Sequence, residues 1–143
     1  MLFEILALAS TGLFAGAAAY VTFVEHPARL SCGTAAAIAE FRPSYRRGSV
    51  MQASLATLGL VAAVFAGTAS RDIRILIAGL LLGSAIPFTL LVILPTNKRL
   101  LDPSLNASSA EAAALLSRWG RLHSVRTIAG VLAFALLVFA LAG

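Results

Sequence analysis

IRILIAGLLLGSAIPFTLLVIL, residues 73–94, is a run of 22 apolar and small residues with one charge, Arg74, near its start. A helix rises about 1.5 Å per residue, so roughly 20 residues cross the hydrocarbon core of a bilayer. The run predicts a transmembrane helix. Three further runs read the same way: Leu2 to Val24, Val50 to Thr68, and Ile128 to Leu141, the last extended back to Trp119 through polar residues. The predicted spans are therefore 2–24, 50–68, 73–94 and 119–141.

Composition agrees. Of 143 residues, 59% are hydrophobic and 12% charged, about half the charged share of a soluble domain. The expected fold class is all-α: an integral membrane bundle of four transmembrane helices forming one domain, 1–143. Little chain is left for anything else. The connections 25–49 and 95–118 are long, and Thr34 to Phe41 and Ser108 to Ser117 read as short helices lying at the interface. Ser108-x-x-Glu111 fits a capping box with Ser108 as N-cap. The one cysteine, Cys32, excludes an internal disulfide and reads as a small packing residue. Glu4, standing where a signal peptide carries its positive charge, argues against a cleaved leader.

The net charge of +5 does not imply nucleic acid, because no aromatic–basic interleaving is present. The basic residues sit near headgroups instead. Nine of the eleven (Arg29, Arg42, Arg46, Arg47, Lys98, Arg99, Arg118, Arg121, Arg126) lie at the end carrying the long connections; Arg71 and Arg74 lie at the other. The positive-inside rule places the long connections in the cytoplasm and the termini opposite. Ten arginines against one lysine, in a chain rich in Ala and Gly, suggest a GC-rich bacterial genome and hence a bacterial inner membrane.

The halves look alike. Each has an apolar helix, a proline break, an Arg-Leu pair (Arg29-Leu30, Arg99-Leu100) and a second span, which suggests a duplicated hairpin of 70-residue register. Gly12-x3-Gly16 and Gly79-x3-Gly83 predict close helix packing, within one chain or in a homo-oligomer. Pro87 predicts a kink in the third helix.

Both histidines sit in polar clusters at one end of the spans, where ionisable groups are costly to desolvate and face water, a partner or a substrate. Trp119, His123 and Arg126 share one helical face. Glu25 and His26 are adjacent and point about 100° apart unless the helix ends at Pro27, which is the expectation because proline disfavours helical geometry before it. Asn97, Tyr45, Arg46 and Arg47 reach the same end. Two histidines and Glu25 suit iron, copper or zinc, and haem stays open, although no His-x3-His or Glu-x-x-His spacing occurs. Without a metal, an imidazole can take an acidic C–H proton while Arg, Asn and Tyr hold the oxyanion. The carbanion then meets dioxygen, and apolar walls suit a flat aromatic molecule arriving from lipid.

Tyr20-x2-Phe23-x-Glu25-His26-Pro27-Ala28-Arg29, Phe41-Arg42-Pro43-Ser44-Tyr45-Arg46-Arg47-Gly48, Pro95-Thr96-Asn97-x2-Leu100 and Trp119-x3-His123-x2-Arg126 together resemble DUF1772, the anthrone oxygenase-like four-helix membrane proteins. The resemblance implies oxidation of an anthrone to an anthraquinone by dioxygen with no added cofactor. It implies His123 or His26 as base, with Glu25 beside them. Arg126, Asn97 and Arg29 would bind phenolate oxygens, Trp119 would stack on the rings, and Tyr45 and Arg46 would complete the substrate-binding set. Two other classes stay open: a metal- or haem-binding redox protein using His26, His123 and Glu25, and a non-enzymatic membrane subunit or carrier.

Overall fold

The computed structural model describes all 143 residues. It is an all-α bundle of four helices, α1 (Leu2–Ser31), α2 (Thr34–Ser70), α3 (Ile73–Leu101) and α4 (Ala110–Ala142), each long and apolar enough to cross a membrane. α1 and α3 each pack against both α2 and α4, giving an up-down-up-down ring.

The helices outrun the predicted spans. α2 has 37 residues, about 55 Å at the helical rise, far more than a hydrocarbon core needs. The segments expected as separate interfacial helices, 34–41 and 108–117, are the opening turns of α2 and α4. They stay helical because they share a core of their own: Ile38, Phe41, Leu100, Leu105 and Leu116 are buried together at the hairpin end. Two more core layers follow toward the termini, one around Phe14, Ala56 and Leu82 and one around Ala7, Ala63, Ile75 and Leu137.

The prolines also behave differently from expectation. α1 does not end at Pro27. It widens into a π-helical turn at Val21–Glu25 and continues to Ser31. α3 does the same, with a π-helical turn at Thr89–Ile93 before Pro95. A proline ring presses on the carbonyl four residues earlier, Phe23 or Leu91 here, and lacks the N–H that would bond it. The wider turn re-aims those carbonyls and lets the helix go on. The two π-turn–proline units stand 68 residues apart, which sets the repeat register and replaces the Arg-Leu match. In that register Arg29 corresponds to Asn97, both buried. At Pro87 the helical ladder is interrupted at Ser84, where α3 divides into Ile73–Gly83 and Ala85–Phe88.

Short turns close the hairpins. Gly33, at φ 89°, takes the left-handed step after α1, leaving Cys32 exposed rather than packed. Ser109, not Ser108, caps α4 by accepting from Ala112 N at 3.1 Å; Glu111 instead pairs with Arg99 at 2.6 Å. Arg42 donates to the carbonyls of Leu100 and Asp102, capping the end of α3. Hydrogen bonds from Ser104, aided by Arg99, hold the half-buried Asp102 carboxyl below the usual carboxylate range.

Of the predicted small-residue contacts, Gly79 is the tightest: a Cβ there would lie 2.5 Å from Ala63 Cβ. Gly83 faces Leu60 and Gly12 faces Phe134, while Gly16 faces open space. A methyl at 79 must push two backbones apart, since Ala63 cannot rotate away. Gly79→Ala is expected to destabilise the bundle by about 1–3 kcal/mol, and Gly16→Ala by no more than about 0.5 kcal/mol. Thermal unfolding of both variants in one detergent checks the contrast.

Candidate functional site

A polar layer separates the hairpin-end core from the middle core, and all four helices contribute to it. Its centre is Trp119. The indole packs on His123 (centroids 4.8 Å apart), on His26 (5.2 Å) and edge-on to Phe41 (5.1 Å). Its Nε1–H donates to Asn97 Oδ1 at 2.9 Å, and Asn97 Nδ2 donates to the Tyr45 hydroxyl at 2.8 Å. Indole nitrogen is donor-only, so the amide's orientation is determined. Asn97 is 1% exposed; leaving its partners unpaired there would cost about 1–3 kcal/mol each.

Arg29 and Arg126 are both cations within this layer, but their surroundings differ. Arg29 is ion-paired with Glu25 and with Glu40. Ser44 donates to Glu25 Oε1 at 2.6 Å, and the guanidinium also lies over the Phe41 and Trp119 rings. Its charge is fully answered. Arg126 has no carboxylate partner. It donates to Gln52 Oε1 at 2.8 Å and sits over Phe14, while its buried Nε bonds to nothing. A cation so placed in a membrane protein is costly to desolvate.

His123, 3% exposed, turns Nδ1 toward the hydroxyls of Thr22 and Thr127, each 3.4 Å away. Those hydroxyls are 2.7 Å apart, and Thr127 Oγ1 lies 3.2 Å from the Ala18 carbonyl. The proton arrangement follows by counting bonds. If Thr22 donates to Thr127 and Thr127 to Ala18 O, Nδ1–H donates to the hydroxyl oxygens and every proton has an acceptor. The reverse chain, ending on Nδ1, forfeits the bond to Ala18. The fuller count favours the tautomer with the proton on Nδ1, and Nε2 makes no hydrogen bond within the chain.

A narrow pocket of about 40 Å³ is bordered by Glu25, Arg29, Ser44, Tyr45, Gln52, Trp119, His123 and Arg126. His26 does not line it. It lies on a second recess with Thr22, Gly120 and His123, where a Cβ on Gly120 would come within 2.5 Å of its Nε2. Glu25 and His26 thus diverge, as adjacent positions of a continuing helix must. Arg46 is exposed on α2 and reaches neither recess. No three His, Cys, Asp or Glu side chains converge in a group that could hold a metal ion, and Glu25 and His26 border different recesses. The layer also uses residues that the sequence reading passed over: Gln52, Thr22, Thr127, Ser44 and Glu40. Two had signals. Gln52 is the one amide within the run 50–68, and Thr127 follows His123 by four residues.

Comparison with known proteins identifies the family. The family model described as "Anthrone oxygenase" matches residues 41–136, which include Tyr45, Gln52, Asn97, Trp119, His123 and Arg126. The chain is also 32% identical over 118 residues to "Anthrone oxygenase tpcL" of Aspergillus fumigatus, covering 76% of this chain and 73% of that protein. No solved structure matches it. With a family model spanning most of the chain and a relative aligned over most of both sequences, this four-helix membrane protein belongs to the anthrone oxygenase family.

Proposed function

We propose that this chain is a membrane oxygenase that converts an anthrone-like polycyclic substrate to the quinone with dioxygen, using His123 as base and Arg126 as oxyanion holder. The observation that carries the reading is their pairing at one pocket: a guanidinium with no counter-ion beside an imidazole whose Nε2 has no partner. The named activity of the fungal relative supplies the reaction class.

On this reading His123 Nε2 takes a proton from the ring-flanked methylene, whose acidity comes from the ketone across the fused ring. The electron pair moves onto the ketone oxygen, and Arg126 binds the oxyanion in a medium of low dielectric. The carbanion then passes electrons to dioxygen and a C–O bond forms. The imidazolium returns its proton to the peroxide oxygen. Loss of the second methylene proton, with O–O cleavage, releases water and leaves a carbonyl. The sum is CH₂ + O₂ → C=O + H₂O, with carbon oxidised and dioxygen reduced, and it calls for no resident metal or haem. Arg29 and Asn97, expected as phenolate ligands, serve here to hold Glu25 and Trp119 in place. We also place the hairpin end in the cytoplasm of a bacterial inner membrane, from the nine-to-two basic count.

Oxygen uptake with 1,8-dihydroxyanthrone, by protein in mild detergent, tests the reading. His123→Ala is expected to lower kcat/KM by about 10²–10⁴-fold, and Arg126→Met by about 10²–10³-fold, with the helical circular dichroism signal kept. Full uptake in both variants would sink the assignment.

The threonine chain gives a separate test. Thr127→Val keeps the shape but frees the Thr22 proton to bond Nδ1, converting Nε2 to N–H. Activity should fall roughly 10- to 100-fold, and Thr127→Ser should restore it. Equal activity in the Val and Ser variants would show that the hydroxyl does not govern the imidazole.

A further inference from the structure

We propose that the cleft between α2 and α3 is a lateral slot that receives the flat apolar body of a polycyclic aromatic ketone or phenol from the lipid. Its acidic, oxygen-bearing edge then reaches Arg126. This rests on the oxygenase reading and adds where the substrate's rings lie.

Volume is the first argument. Of the two recesses that His123 borders, the one it shares with Arg126 holds about 40 Å³, room for two or three waters and none for three fused rings; the other, about 240 Å³, does not include Arg126. The slot holds about 310 Å³, within the range of roughly 300–1,000 Å³ usual for small-molecule sites. The two adjoin, with Tyr45, Ser49, Gln52 and Arg126 lining both. A planar ligand can fill the slot and place one edge beside His123.

Wall chemistry is the second. Ala53, Ala56 and Ala85 keep the slot wide and apolar. The Thr89 hydroxyl on its wall is already committed to the Ala85 carbonyl at 2.7 Å. Strong polarity is thus confined to the inner end, at Arg126 and Gln52, which fits a molecule apolar over its length and acidic at one edge. A lipid acyl chain matches the walls but offers the unanswered guanidinium nothing.

Position is the third. At its mouth stand Val50, 68% exposed, and Leu90, 58% exposed, on the faces of α2 and α3 that a bilayer would cover. The backbones of these helices meet at Gly79 and Ala63. The slot opens further along, at Ala85 and Thr89, where Ser84, Pro87 and the π-helical turn interrupt α3.

The test fills the slot and reads binding apart from turnover. The probe for binding is 1,8-dihydroxyanthraquinone, followed by quenching of Trp119, the chain's one tryptophan. The probe for turnover is 1,8-dihydroxyanthrone. Ala53→Phe and Thr89→Phe are each expected to weaken quenching and raise KM by roughly tenfold or more, while Val138→Phe, on the outer face of α4, changes neither. Two filling variants on different helices guard against one misfolding. Unchanged affinity and KM in both would overturn the slot and leave the oxygenase reading standing. Quenching lost in both, with no oxygen uptake by the unaltered protein, would keep the slot and overturn the oxygenase. Neither quenching nor uptake by the unaltered protein would overturn both. A comparable loss in Val138→Phe would show that the effect is not particular to the slot and would overturn it.

Discussion

In a bilayer each backbone carbonyl must find its partner within the protein, because no water is there to take it. That constraint shapes this molecule at Pro27 and Pro95. A helix stopped at either residue would leave a ring of carbonyls unbonded near the hydrocarbon boundary. The π-helical turns at Val21–Glu25 and Thr89–Ile93 carry α1 and α3 past the prolines instead. Their consequence is positional: Glu25, His26 and Arg29 on one helix, and Asn97 on the other, stay on helical surfaces and enter the bundle rather than a loop. Thr22 lies inside the first of these turns, so the hydroxyl chain against His123 depends on the same local widening.

A polar layer inside a membrane bundle is stable only when its groups answer one another. Here most do. Arg29 has Glu25 and Glu40; Asn97 has Trp119 and Tyr45; the two threonines have each other and the Ala18 carbonyl. Several are not answered within the chain: Arg126 Nε, His26 Nδ1 and Thr96 Oγ1 are buried without a hydrogen bond. Arg126 differs from Arg29 in having no carboxylate beside it, and it lies within one turn of His123 on α4.

Patterns that live on one helix were legible in the sequence. Span number follows from run length, and the shared face of Trp119, His123 and Arg126 follows from 3.6-residue periodicity. What sequence hid is what arises between helices or beyond the membrane. The hairpin-end segments look like loops because their outer faces are polar, yet Ile38, Phe41, Leu100 and Leu116 give them a core that no single segment displays. Pro27 reads as a helix end because the usual rule assumes an α-helical ladder and does not anticipate a π-turn before it. Arg29 and Arg126 carry the same formal charge, and only the location of Glu25, Glu40 and Gln52 separates a neutralised cation from an open one.

The two π-turn–proline units stand in different surroundings. At register 68 the two hairpins offer equivalent inward positions, Arg29, held by Glu25 and Glu40, and Asn97, held by Trp119 and Tyr45. Equivalence in backbone has therefore not produced two equivalent sites: the π-turn of α1 supplies the hydroxyl that orients His123, while the π-turn of α3 lies on the wall of the cleft beside α2. One copy of the motif faces His123 through Thr22, and the other lines the cleft between α2 and α3 through Thr89 and Leu90.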